Sequence, residues 1–275
     1  MDKNKKLLLL LFLAAFMIGF ILFLIYRPDQ AEARAEAKRI HSYPYRGIED
    51  FYSEPQGDQL VKYTSISLAY DEKHEQPLWV CYLLTKQQLE HPVCKRNNRF
   101  KADPNIVSGS ASLSDYYKSG YDRGHLAPAA DMLWSKQAMK ESFYMSNMSP
   151  QLPAFNRGAW KRLESAVRKT ARLEDSLIII TGPLFNDTLG SIGQNHVSIP
   201  AEYYKVVVDI SAPHLGAVAF IMPHRNTNLP LDKFVVSMDS LEHYSGIDFM
   251  APLPDPLENQ LEDTIDKALL EKLMY

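Results

Sequence analysis

The sequence predicts an α+β fold: a mainly antiparallel central sheet flanked by helices, behind an N-terminal segment long enough to cross a membrane as a helix. Three observations carry this. β-rich runs recur on both sides of a polar central stretch, with helices scattered among them. Helical periodicity is confined to a few stretches, with a long one at residues 154–173. Residues 7–26 contain no charge, and about 20 residues at ~1.5 Å each match the ~30 Å hydrocarbon core of a bilayer.

The chain divides into a stub and anchor (residues 1–26), a linker (27–42) and one large domain (43–275). A cleaved leader would have a shorter apolar run and a small-residue cleavage site. Here Arg27, Pro28 and Asp29 follow directly, so the anchor is expected to stay. Lys3, Lys5 and Lys6 favour a cytoplasmic N-terminus, although Arg27, Arg34, Lys38 and Arg39 on the other flank weaken that bias. The linker alternates Ala with Glu, Arg and Lys, which suits a short helical or flexible spacer.

Residues 63–70 alternate apolar with small polar side chains, residues 78–84 form a β-rich run, and the charged residues 71–77 make the loop between these two strands. Cys81 and Cys94 can pair if the domain lies outside the cytoplasm, and otherwise are unpaired structural thiols. Residues 95–101 are the most basic short stretch. Residues 106–118 read as loop and short turn, and a strand carrying Asp122-Arg123-Gly124-His125 follows. A helix is expected over 135–143, residues 144–150 lead into the helix at 154–173, and Pro150 and Pro153 both lie ahead of that helix. Strands follow at 176–181, 203–210 and 217–223, then a short helix at 241–243 and a last helix at 258–274.

The chemistry concentrates in Asp122-Arg123-Gly124-His125 and the Ala127-Pro128-Ala129-Ala130-Asp131 beyond it. A neutral imidazole fixed at His125 can take a proton from water near neutral pH. Gly124 permits a sharp turn that presents the next side chain. Asp122 and Arg123 can pair, or Arg123 can reach an anion with its planar fork; an ion-paired turn with a partly buried histidine is the plainer alternative. Downstream, Asn156, Trp160, Glu164 and Arg168 recur every four residues, forming one stripe on a helix. An amide oxygen and a carboxylate at this spacing suit Mg²⁺ or Mn²⁺, and a nearby guanidinium suits a phosphate. An ordinary amphipathic helix with a Glu164–Arg168 pair would look similar. His41, His74, His91, His196, His214, His224 and His243 fall in no ligand spacing, which disfavours zinc; of these, His196 and His224 border strands.

These segments, with Ser146-Asn147-Met148-Ser149-Pro150-Gln151 and Asn156-Arg157-Gly158-Ala159-Trp160 to Glu164, resemble the DNA/RNA non-specific endonucleases. These are the ββα-metal (His-Me finger) nucleases, the group that includes endonuclease G. The similarity runs from about residue 43 to about 262, with further landmarks at 178–183, 197–200, 204–207 and 245–249. The resemblance implies the ββα-metal nuclease fold and cleavage of phosphodiester bonds in DNA and RNA. It implies His125 as general base, with its other ring nitrogen hydrogen-bonded to a backbone carbonyl, and Asn156 as sole protein ligand of one Mg²⁺ or Mn²⁺. Glu164 would hold waters on that ion. Arg96 or Arg99 (Arg96 favoured) would clamp the phosphate, and Arg123, Asn147, Gln151 and Arg168 would bind substrate or support the site.

The net charge of −3 does not advertise a nucleic-acid binder, so a polyanion must be held by a local basic surface and a metal. An unrestrained nuclease facing the cytoplasm would attack its own genome, so the domain is expected on the outer face of the membrane. A membrane-tethered nucleic-acid receptor and a metallo-phosphodiesterase acting on small nucleotides are the competing readings. A homodimer stays open as an assembly, and no inhibitor protein is legible.

Overall fold

The computed structural model describes Met17 and residues 47–52, 57–211, 215–262 and 264–275. The expected anchor and linker lie outside these residues, apart from Met17, and no helix among the described residues is long and apolar enough to cross a membrane.

The domain is built on strands β1 (Gln59–Lys62), β2 (Ile66–Asp71), β3 (Gln76–Thr85), β6 (Ser176–Ile192), β7 (Val197–Asp209), β8 (Gly216–Pro223) and β9 (Val235–Val236). They form one sheet in the order β1-β2-β3-β6-β7-β8-β9, antiparallel at every pairing. Its central strands are buried on both faces, which is why 176–181 and 203–208 read as near-continuous apolar runs rather than as alternation. Period two still sorts the faces of β7. Tyr203 and Val207 join Leu177 and Ile179 under the helical layer, while Tyr204 packs tilted on Phe249 at 5.4 Å behind the sheet.

The helical layer is led by α4 (Lys161–Leu173), whose Leu163, Val167 and Ala171 repeat at helical spacing and are buried against the sheet. Each fully buried Leu or Val of this kind contributes about 1.5–3 kcal/mol. The helix stops at Asp175, whose φ of 62° lies in the left-handed region. α1 (Lys86–Glu90) and α7 (Lys267–Met274) pack against α4; the remaining helices are α2 (Leu113–Tyr116), α3 (Lys136–Glu141), and α5 (Met238–Ser245) and α6 (Asp255–Glu262), which pack on each other and on β8. A separate antiparallel hairpin, β4 (Asp122–His125) with β5 (Met148–Gln151), carries the polar motif.

Several local expectations change. The strand predicted from residue 63 starts at Ile66, because Tyr63 donates to the Ile66 carbonyl (2.8 Å) and closes a turn after β1. β5 was not expected at all, since Pro150 cannot donate to a ladder; it is tolerated because β5 pairs only with β4. The helix predicted at 154–173 is not continuous. A turn at Pro153–Phe155 passes into a wide π-type turn at Asn156–Trp160, broken at Gly158 (φ −106°, ψ −108°), before α4 begins. The predicted C-terminal helix is two helices, and the side chain of Asp266 caps the second by accepting from the Leu269 amide at 2.8 Å. Cys81 and Cys94 are both free: Cys81 is buried in β3, while Cys94 Sγ lies 3.3 Å from the Leu133 carbonyl.

Candidate active site

Register places the site. In the hairpin Asp122 pairs with Gln151, Arg123 with Pro150, Gly124 with Ser149 and His125 with Met148. Gly124 sits in extended strand, so the sharp turn expected of it is absent; it is needed for close approach. A Cβ there would lie 2.3 Å from Cδ and Oε1 of Gln151, whose side chain crosses over the glycine. Beyond His125 the chain is pinned by Asn147: its Oδ1 accepts from the Ala127 amide (2.9 Å), and its Nδ2 donates to the carbonyls of Ala127 (3.0 Å) and Ser142 (2.9 Å).

Asp122 joins the hairpin to the wide turn. Asn156 Nδ2 donates to Asp122 Oδ2 at 2.9 Å, while Arg157 donates to both carboxylate oxygens at 2.9 and 2.6 Å. Asp122 therefore pairs with Arg157 and not with Arg123. Because the amide nitrogen of Asn156 is tied to Asp122, its Oδ1 is left without a hydrogen bond. A bare, oriented amide oxygen is the donor a hard, hydrated divalent ion takes, so Asn156 fits the ligand role.

His125 is buried among aromatic rings, edge-on to Phe143 at 4.8 Å and tilted on Phe100 at 5.6 Å. Neither ring nitrogen has a hydrogen bond, and buried Nε2 has no partner. The expected bond to a backbone carbonyl is absent; packing orients the ring instead. Burial lowers its pKa to about 3, helped by the charges of Arg96 and Arg123. Both guanidiniums lie on the same aromatic walls, Arg96 5.2 Å from the Phe143 centroid and Arg123 4.1 Å from that of Phe100.

Glu164 is half-buried in the first turn of α4 and makes no hydrogen bond or ion pair among the described residues. Burial raises its pKa, against the opposing charges of Lys205, Arg168 and Arg96. Arg96 thus faces both His125 and Glu164. Arg168 is held by Asp131 (2.9 Å), which also accepts from the Tyr82 hydroxyl (2.9 Å). Arg99 lies further out, lining a cleft of about 430 Å³ with Asn97, Phe100, Lys101, Lys140 and Tyr144.

The structure brings together His125, Arg96, Arg123 and, through Arg96, Glu164, with Asn156 tied to the same strand by Asp122. Asn147 and Gln151 are both fully buried; Asn147 pins the loop beyond His125 and Gln151 lies over Gly124. Sequence reasoning missed the Asp122–Arg157 pair and the Phe100 and Phe143 walls. Nothing in the spacing of those segments signals that they meet. His224, one of the two strand-bordering histidines, is likewise a structural pin: Nε2 accepts from the Leu152 amide at 2.7 Å and Nδ1 lies 2.8 Å from the Pro200 carbonyl.

Gly124→Ala must displace Gln151 or open the hairpin. We expect a loss of about 1–3 kcal/mol in urea unfolding, with plasmid cleavage reduced about tenfold or more; a variant equal to the parent in both would refute the close-approach argument. The depressed His125 pKa has a signed consequence. Below about pH 6.5 the unfolded chain takes up a proton that the folded ring refuses, so this stability is present above 6.5 and lost as pH falls toward 3. Relative to His125→Gln, the parent should lose about 2 kcal/mol between pH 7 and 5 in urea melts. Parallel pH curves for the two proteins would mean the ring is not held neutral.

Comparison with known proteins gives the family. The family model described as DNA/RNA non-specific endonuclease matches residues 48–256. Human mitochondrial endonuclease G is 34% identical over 213 residues, covering 72% of this chain and 72% of its own length. Nuclease C1 of Cunninghamella echinulata is 35% identical over 205 residues, covering 69% of this chain and 81% of its own. A crystal structure of the EndoG/EndoGI complex superposes with a TM-score of 0.71 at 30% identity, over 80% of this chain and 96% of that one. The hairpin, the wide turn and α4 all fall within the matched span, and the chain belongs to the DNA/RNA non-specific endonuclease family.

Proposed function

We propose that this endonuclease hydrolyses DNA and RNA at a single site in which His125 is the general base and Asn156 holds one Mg²⁺ or Mn²⁺. The observation that carries the reading is the Asp122 tie, which joins Asn156, its Oδ1 left bare, to the strand that ends in His125. His125, neutral because it is buried between two guanidiniums, takes a proton from the water that attacks phosphorus. Arg96 and Arg123 offset the negative charge that builds on the phosphate oxygens; contacts of both with the rings beside His125 support this. When bound, the ion supplies Lewis-acid charge at the phosphate and an acidic water for the leaving oxygen. Glu164 accepts hydrogen bonds from waters around Asn156, and Arg168, turned by Asp131, supports Glu164 from the next turn.

Arg99, Lys101 and Lys140 line a cleft beside the site that suits the backbone phosphates of a longer strand. Backbone contacts carry no base information, so cleavage is expected with little sequence preference. The test is digestion of plasmid, RNA and a dinucleotide by residues 27–275, with and without EDTA. Plasmid and RNA should both be cut, the dinucleotide poorly, and EDTA should abolish cleavage. His125→Ala should lower the rate by about 10²–10⁴-fold without unfolding the protein. Activity confined to RNA, or a folded His125→Ala protein cutting at the parent rate, would sink the scheme; preference for the dinucleotide would favour the small-nucleotide reading.

We further propose that residues 7–26 anchor the protein and hold the nuclease on the outer face of the membrane, on the strength of an uncharged run of spanning length. Protease added to intact cells or spheroplasts should then digest the domain while it stays in the membrane fraction. Recovery in the soluble fraction would contradict this.

A further inference from the structure

The face of β7 under the helical layer carries Tyr203, Lys205 and Val207 in succession. Tyr203 and Val207 are core residues, and Leu or Ile would continue the pattern between them. Instead there is a lysine, 1% exposed, whose Nζ is buried and has no hydrogen-bond partner. It lies 4.7 Å from the ring centroid of Trp160, itself fully buried with its Nε1 unpartnered. Burying an ammonium without direct pairing is costly, so fold stability alone does not account for it. Trp160 and Glu164 lie one helical turn apart, so a side chain seated on the indole reaches up toward the carboxylate. Glu164 in turn has no direct ion pair, and the opposite charges that act on Lys205 are Glu164 and Asp131.

We propose that Lys205 is a positioning residue of the nuclease reaction: a buried ammonium, propped on Trp160, that holds the Glu164 carboxylate in place from beneath the site. It touches neither substrate nor ion. The proposal rests on the reading of Glu164 as part of the active site.

Lys205→Met tests it, because methionine keeps the length and can pack on the indole. A purely structural lysine would leave chemistry untouched when replaced, and removing a poorly paired buried charge should keep or raise the melting temperature. We expect a stable variant whose Mn²⁺ affinity, measured by calorimetry without substrate, falls about 10–100-fold. Its kcat on plasmid should fall by a similar factor, with KM within about twofold. In a Glu164→Gln background the same change should add almost nothing. Native Mn²⁺ affinity and kcat in Lys205→Met, or an equal loss in the Glu164→Gln background, overturns the proposal. If Lys205→Met does not fold, Lys205→Gln is read by the same criteria, and failure of both to fold makes the lysine structural and overturns it too. The parent is assayed first: a parent that cuts nothing, or cuts in EDTA, indicts the functional reading instead.

Discussion

The site depends on one carboxylate. Asp122 opens the hairpin strand and holds Asn156 and Arg157 from the wide turn ahead of α4. Arg157 is largely exposed, so as a stabilising ion pair this tie counts for little. Its effect is geometric. It fixes the rotation of the Asn156 amide, so that nitrogen faces the protein and oxygen faces outward. It also sets the distance between the strand that ends in His125 and the helix that carries Glu164. The break at Gly158 belongs to the same device, because a regular helix would not spread Asn156 from Trp160 in this way.

The second constraint is the wall around His125. A histidine of fixed tautomer is commonly steered by a hydrogen bond to the far ring nitrogen. Here Phe100 and Phe143 hold the ring, and each also carries an arginine on its surface. Packing and electrostatics therefore act together: the same rings that bury the imidazole bring up the cations that, with burial, lower its pKa. Those cations place two positive charges beside the histidine on a chain whose net charge is −3.

Beneath this, the sheet acts as a platform. Tyr203 illustrates the usual role. Its ring stacks at 5.3 Å on Phe155, and its hydroxyl donates to the Pro150 carbonyl at 2.7 Å, joining β7 to the hairpin and to the start of the helix at once. Rigid elements of this kind are what hold a catalytic constellation to the sub-ångström tolerance it requires.

Much of this was legible in residues alone. The central sheet strands are legible as apolar runs, the helix at 154–173 from its periodicity, and His125, Asn156, Glu164 and Arg168 from residue type and interval. What failed did so where local signals and tertiary context part. Pro150 argued against a strand, yet a two-stranded hairpin tolerates it; an unbroken helical pattern concealed the wide turn; and Gly124 looked like a hinge when it serves as space for Gln151. Sequence determines which side chains are available and along which element they repeat, because those follow from periodicity and backbone sterics. Only the folded chain decided that Asp122 would hold Asn156, that Asn147 and Gln151 would be buried, and that Phe100 and Phe143 would enclose His125. Such contacts join residues tens of positions apart, and packing rather than local propensity selects them.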